Sequence, residues 1–221
     1  PNTKVFSIES YKNFISSRAF NCVDYNQRRE NVFIIREQFD FFQPCPCAPG
    51  ALSCGYHIMN AGFGCGYDCA YCFLQGYTNA PGLVFPGNLD DFFTQFKSCY
   101  YPGMRIGSGQ FTDSLIFDHI TGFSSELIRF FRGFPDVVFE FKTKSGNVDH
   151  LLKNSASSNI QISWTVNPDT VIANVELRTS SMGERIHAAV RCAQAGFRVG
   201  FHFDPIIFYA GWEEDYHAVV K

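Results

Sequence analysis

The sequence predicts an α/β protein built on a parallel sheet. Short apolar runs alternate with amphipathic stretches from Tyr56 onward, and residues able to do chemistry stand just after the runs. The candidate strands are residues 57–63 (HIMNAGF), 103–109 (GMRIGSG), 137–143 (VVFEFKT), 160–166 (IQISWTV) and 197–203 (FRVGFHF). Candidate helices lie near residues 69–78, 88–98, 124–132, 147–154, 182–195 and 211–221, the fifth closed by Gly196, a residue type suited to a helix C-terminus. Five β-α units are therefore visible. The chain stops inside an apparent helix with no sixth strand in view, which predicts that a last unit lies outside these residues. Residues 1–43 lack sustained periodicity, and the proline-rich run QPCPCAPGAL breaks regular structure. The expected organisation is an N-terminal extension over residues 1–50 and a core over residues 51–221.

At 221 residues, with 46% hydrophobic and 18% charged residues, the chain has the balance of one folded domain. Its 25 phenylalanines are expected mainly in the core, although aromatic faces also suit adenine and nucleobases. A formal charge of -3 argues against a strongly basic nucleic-acid coat and leaves room only for a local groove. No stretch approaches the roughly 20 apolar residues of a membrane span, and the start PNTKVFSIES lacks a secretory layout. The expected location is the cytoplasm.

Parallel α/β sheets place their chemistry at the carboxyl ends of the strands. The cysteine loop follows the first strand, GSGQFTD the second, KTKS the third, Thr165 to Pro168 the fourth and HFDP the fifth. Six of the nine cysteines fall between positions 45 and 72, and in a reducing compartment such clustering points to metal binding or catalysis before disulfides. Cys65, Cys69 and Cys72 form a C-x3-C-x2-C run, short enough for one loop to wrap three thiolates around one inorganic centre. Structural zinc normally takes four protein ligands, whereas three thiolates on a four-iron cubane leave one iron open. A small molecule with an amino and a carboxylate group can chelate that iron and receive an electron.

Other readings compete with this one. A zinc site could be completed by Cys54 or His57, Cys69 and Cys72 could act as a thioredoxin-like pair, or the cysteines could be buried and inert. Gly62, Gly64 and Gly66 argue against the last, because they suit a turn that brings backbone close to a ligand. Cys45, Cys47 and Cys54 are candidates for a second metal. Cys99 and Cys192 lie in helical text and read as small core residues, while His57 and His202 read as satisfied core histidines. Asp113 and Asp118 read as carboxylates at helix N-termini.

Several motifs in order, CGYHIMNAGFGCGYDCAYCFLQGY, RIGSGQFTDSL, FKTKS, SWTVNP, GERIHAA and GFHFDPIIFYAGWE, span about Pro44 to Trp212 and resemble the spore photoproduct lyase family of the radical S-adenosylmethionine (SAM) superfamily. The resemblance implies a partial parallel (β/α)6 barrel that lacks its last unit in this chain. It also implies a 4Fe-4S cluster on Cys65, Cys69 and Cys72, with SAM as the second cofactor. An electron supplied by a donor such as a flavodoxin or ferredoxin would cleave SAM to methionine and a 5'-deoxyadenosyl radical, which abstracts hydrogen from substrate. A thymine photoproduct in DNA is the substrate so implied.

Residue by residue, the resemblance sets Tyr71 beside the adenine and Ser108, Gly109 and Gln110 at the loop for the SAM amino group. Thr112, Lys144 and Thr165 match polar positions that hold SAM, Lys144 through the carboxylate and Thr165 through the ribose. Asp204 falls where the fifth strand approaches the adenine or ribose. The lyases carry a cysteine where this chain has Gln110, and that cysteine returns hydrogen to the product radical. An amide has no comparably weak bond to hydrogen. Tyr67, Tyr77 and Tyr209 are aromatic candidates for radical relay. Three functions stay open: a lyase-like enzyme on DNA, a relative with the same chemistry on another substrate, and a non-catalytic metal-binding module.

Overall fold

A computed structural model describes residues 4–7, 9–17, 26–36, 41–47, 50, 52–53, 55–77 and 82–221. Cys54, a candidate metal ligand above, and Thr78, the last residue of the helix expected from position 69, lie outside the described residues.

The main sheet contains β2 (Phe42–Pro44), β3 (Tyr56–Met59), β6 (Arg105–Gly107), β7 (Val138–Thr143), β8 (Ile160–Thr165) and β10 (Arg198–His202). Its spatial order is β10-β8-β7-β6-β3-β2, with β2 antiparallel to β3 and every other pair parallel. The five parallel strands are the five read from the sequence, and they stand side by side in chain order. A doubly wound sheet reverses direction at a switch point; this one does not, so the wall is wound one way, as in a barrel.

Two smaller pairings complete the strands. β1 (Val32–Ile35) runs parallel to β5 (Leu83–Pro86), and β4 (Asp68–Cys69) is antiparallel to β9 (Glu176–Leu177). Residues before position 50 thus add β1 and β2 to strands of the following segment. The helices are α1 (Tyr11–Ser16), α2 (Leu74–Tyr77), α3 (Leu89–Cys99), α4 (Asp118–Thr121), α5 (Phe123–Phe131), α6 (Asp169–Asn174), α7 (Met182–Gln194) and α8 (Trp212–Val220). Two expectations are corrected. The helix read from position 69 begins only at Leu74, because Cys69 is drawn into backbone pairing opposite Glu176. The stretch near residues 147–154 forms only a 3-10 turn at Leu151–Lys153.

Side chains alternate along each strand, which gives the wall two unlike faces. Ile106, Phe139, Phe141, Ile160, Ile162 and Trp164 are fully buried in the outer core together with helix residues such as Phe92, Phe96, Leu127 and Phe131. Phenylalanine rings fill this layer in contact, with Phe131 stacked on Phe139 at 4.2 Å and Phe139 edge-on to Phe141 at 4.9 Å. Close packing of such large apolar groups is the main stabilising term in the fold. The capping box of α7, in which Ser181 and Glu184 satisfy each other's backbone, fixes where that helix starts.

The inner face is polar and organised on Glu140. Tyr56 donates to its carboxylate at 2.7 Å, Ser163 at 2.5 Å and Gln161 at 3.1 Å, and His202 Nε2 lies 2.8 Å away. Four strands are joined through one side chain. Burial pushes this carboxyl upward, but the contacts from His202, Ser163 and Tyr56 outweigh it and hold it down at about 2. His202 is therefore tied to a carboxylate, and His57 stacks on Phe42 at 4.9 Å; both are engaged, but they are half-buried and not core histidines as expected, because each sits at or next to an edge of the sheet.

Because the folded value lies below the ordinary 4.5, Glu140 stabilises the fold fully above pH 4.5, and that contribution is lost as pH falls toward about 2. In urea denaturation across this window, the stability gap between the unmodified protein and Glu140→Gln should shrink steadily with falling pH. A gap that stays constant would show that the carboxylate is not held low.

Candidate active site

At the carboxyl ends of the parallel strands lies a cavity of about 360 Å³, lined by Cys65, Cys69 and Cys72 on one side and by loops after β6, β7, β8 and β10 on the other. Its size is that of a small-molecule site. The cysteine loop reaches it by close approach: a Cβ at Gly66 would stand 2.6 Å from Ile116 Cδ1, and Gly64 takes a left-handed φ of +85. Backbone pairing then pins the loop, with Cys69 opposite Glu176 and the Ala70 N–H donating to the Val175 carbonyl at 2.8 Å.

Ten of the eleven side chains singled out as ligand-binding or metal-binding line this one cavity: the three cysteines with Tyr71, Gly109, Gln110, Thr112, Lys144, Thr165 and Asp204. The exception is Ser108, which is buried behind the wall and donates to Ser114 Oγ at 3.0 Å. Gly109 is where the second-strand loop presses on the third strand, since a Cβ there would be 2.9 Å from Lys142 Cβ. Cys45 and Cys47 do not line the cavity. Cys192 is buried in α7, but Cys99 is exposed at the end of α3, because the helix turns its final residue away from the core.

Asp113 is the knot of the rim. Its Oδ1 accepts from the Leu115 and Ile116 N–H groups, each at 3.0 Å, and from Thr143 Oγ1 at 2.6 Å, while Oδ2 accepts the Lys144 N–H at 2.7 Å. No helix begins at Asp113, so the expectation of a helix-terminal carboxylate is corrected: it joins the loops after β6 and β7. Asp118 does serve a helix start, accepting from Ser124 N and Oγ at 2.8 and 2.6 Å. On the opposite rim Lys142 and Asp204 form an ion pair, and the Asp204 carboxyl is lowered because Lys142 and its neighbours outweigh burial.

Several polar groups on the cavity wall make no hydrogen bond among the described residues. The buried Thr112 hydroxyl has no hydrogen-bond partner among the described residues, and the Gln110 amide and Thr165 hydroxyl make none there either. Lys144 is mostly buried, with its ammonium 5.8 Å from the Tyr71 ring centroid and 4.0 Å from Glu176 Oε1. Unpaired buried hydroxyls cost stability unless something meets them, so the wall fits a polar ligand. Burial raises the Cys65 thiol to about 12 and that of Cys69 to about 11. No three His, Cys, Asp or Glu side chains among the described residues converge tightly enough for a single metal ion.

The spore photoproduct lyase family profile matches residues 24–221. The chain belongs to the spore photoproduct lyase family. It is 32% identical over 163 residues to spore photoproduct lyase of Bacillus subtilis (strain 168), covering 72% of this chain and 48% of that protein. Against the Clostridium acetobutylicum spore photoproduct lyase it is 27% identical over 192 residues, covering 85% of this chain and 55% of the relative. The chain thus spans about half the length of the curated relatives it matches.

A solved spore photoproduct lyase complexed with dinucleoside spore photoproduct superposes with a TM-score of 0.78 at 27% identity, over 88% of this chain and 57% of that one. A variant lyase with bound AdoMet and dinucleoside spore photoproduct gives 0.70 at 30% identity, over 85% and 54%. The fold is the partial barrel of this radical SAM family. No helix among the described residues is long and apolar enough to cross a membrane.

Sequence reasoning missed several members of the site. Arg28 and Phe73 line the cavity, and Arg28 and Arg29 both pair with Asp68 in the cysteine loop. Tyr67, read from the sequence only as a candidate for radical relay, also lines it, with its phenol pushed upward by burial and by nearby Asp113. No motif marks Arg28, since it reaches the site from 40 residues away from its partner Asp68.

Asp113→Ala would leave three N–H donors and a hydroxyl without their acceptor. It should cost about 3 kcal/mol in urea denaturation, and Asp113→Asn about half of that, because hydrogen bonds to a charged acceptor are the stronger ones. Equal midpoints for Asp113→Ala and the unmodified protein would show that the rim does not depend on this carboxylate.

Proposed function

We propose that this chain is the radical SAM core of an enzyme of the spore photoproduct lyase family. The observation that carries the reading is the convergence of Cys65, Cys69, Cys72, Tyr71 and Lys144 on one cavity at the carboxyl ends of the strands. In this reading the three thiolates hold a 4Fe-4S cluster and SAM occupies the cavity. Once bound, these groups supply one-electron cleavage of SAM to methionine and a deoxyadenosyl radical that takes a hydrogen atom from substrate, the electron coming from a flavodoxin or ferredoxin.

The chain's own residues bind and orient. Lys144 offers an ammonium to the SAM carboxylate, the backbone at Gly109 and the Gln110 amide lie on the side of the amino group, and Thr112 and Thr165 offer free hydroxyls. Tyr71 lends a ring to the adenine, and Asp204 approaches the ribose. Residues 1–50 act as an extension packed on the catalytic core of residues 51–221, and the protein works in the cytoplasm. The substrate best supported by the family is a thymine photoproduct in DNA, in keeping with the dinucleoside spore photoproduct held by solved relatives.

Gln110 favours a second reading, a different substrate under the same chemistry. Its amide lies on the cavity wall, the lyases carry at this position the cysteine that returns hydrogen, and among the described residues no thiol other than the three of the cysteine loop lines the cavity.

Anaerobic reconstitution should give about four irons per chain, lost in Cys69→Ala, and the reduced protein should release 5'-deoxyadenosine from SAM. Lys144→Ala should weaken SAM binding more than it lowers iron content. Stoichiometric zinc without iron uptake would overturn the reading and leave a structural metal module.

On the spore thymine dimer, the unmodified protein should give products quenched from solvent or reductant, and Gln110→Cys should raise clean repair without changing iron content or SAM cleavage. Clean, efficient repair without the substitution would show another hydrogen donor. No repair by either form, with SAM cleavage intact, selects the second reading.

A further inference from the structure

Glu176 is fully buried beside the cavity without lining it, and its carboxylate joins two groups of unlike origin. On the scaffold side, the Arg185 guanidinium of α7 forms an ion pair with Oε2 at 2.7 Å, outside hydrogen-bond geometry, and Asn167 donates to Oε1 at 2.8 Å. On the cavity side, the Tyr71 hydroxyl donates to Oε1 at 2.5 Å and the Lys144 ammonium stands 4.0 Å off. The scaffold partners are themselves immobilised. Arg185 also donates to the Thr165 and Ser180 carbonyls, each at 2.9 Å, and to Thr179 Oγ1 at 2.6 Å, while Asn167 accepts from Tyr216 of α8 at 2.6 Å. The backbone of Glu176 also faces Cys69 across the β4–β9 pair.

A buried ion pair of this kind is a poor source of stability, since apolar residues of similar volume often serve as well. What it supplies here is direction. Tyr71 and Lys144 come from different loops, and both face the same oxygen, Oε1, of a carboxylate that Arg185 of α7 and, through Asn167, Tyr216 of α8 hold still. We propose that Glu176 is a positioning residue for SAM: it fixes the Tyr71 ring and the Lys144 ammonium on the cavity wall and registers both to the cysteine loop. This rests on the assignment of the cavity to SAM given above.

The test is a double-mutant cycle on the cluster-loaded chain, with SAM as the probe, its Kd read by equilibrium dialysis beside iron content and melting midpoint. Glu176→Asp keeps the charge that Arg185 requires but withdraws the carboxylate by one methylene, and Tyr71→Phe removes only the phenol oxygen. Each should weaken SAM binding about tenfold, the size of one well-made hydrogen bond. Iron content should hold, and the double variant should be no weaker than the worse single one. In 5'-deoxyadenosine release, KM for SAM should rise while kcat holds.

A merely structural role would lower the melting midpoint and iron content with no selective effect on SAM. Unchanged affinity in both single variants, or fully additive losses, would overturn the proposal while leaving the SAM reading in place. If Glu176→Asp does not fold, Tyr71→Phe decides alone: unchanged affinity overturns the proposal and a selective loss supports it. Failure of the unmodified, cluster-loaded chain to bind SAM would instead remove the functional reading on which this rests.

Discussion

The ionised carboxylate of Glu140 is the interaction on which the inner wall depends. A sheet wound one way into a partial barrel turns one face of every strand toward its own interior, and in β7, β8 and β10 that face carries Glu140, Gln161, Ser163 and His202. Their mutual satisfaction around one charge lets polar side chains occupy the interior without a large desolvation penalty. With that wall settled, the strand ends above it stand at fixed spacing, and the loops that follow can be aimed at a common point.

Two further carboxylates repeat the device nearer the site. Asp113 joins the loops after β6 and β7 through three N–H groups and a hydroxyl, and Glu176 joins the cysteine loop to α7. All three charges collect donors from segments distant in sequence, as in the contact between Tyr71 and Glu176, which lie 105 residues apart. The outer face works by the opposite means, where close-packed phenylalanines supply apolar burial that is large but weakly directional. Stability and geometry are thus assigned to opposite faces of the same strands.

This division explains what could be read from the sequence. The five parallel strands were legible because their outer residues are apolar and regularly placed, and the cysteine loop was legible because its ligands are close together and chemically distinctive. Ten cavity-lining residues were legible because each follows a strand or lies in the cysteine motif. Glu140 was not, since an acidic residue inside VVFEFKT carries no sign of whether its face meets water or four partners. Glu176 lies in a two-residue strand that exists only because Asp68 and Cys69 pair with it. β1 and β5 were missed for a related reason: they form only against each other, across a separation in which no local period signals the pairing. Ser108 shows the converse, a residue in a loop that otherwise faces the cavity, turned inward because Ser114 accepts its hydroxyl.

The distribution of satisfied and free polar groups carries the argument one step further. Where the wall must hold a shape, its groups are heavily engaged: Glu140, Asp113 and Arg185 each make three or more hydrogen bonds, and Glu176 accepts two on Oε1 beside its ion pair with Arg185. Where it meets the cavity, the Thr112 and Thr165 hydroxyls and the Gln110 amide are free of protein partners among the described residues. Tyr71 belongs to both sets, since its ring faces the cavity while its hydroxyl is committed to Glu176. A phenol held in that way has its O–H directed at Glu176 and its ring turned to the cavity, which suits the ring to contact a flat group. Gln110 belongs only to the free set, so a substitution there leaves the network that shapes the cavity intact.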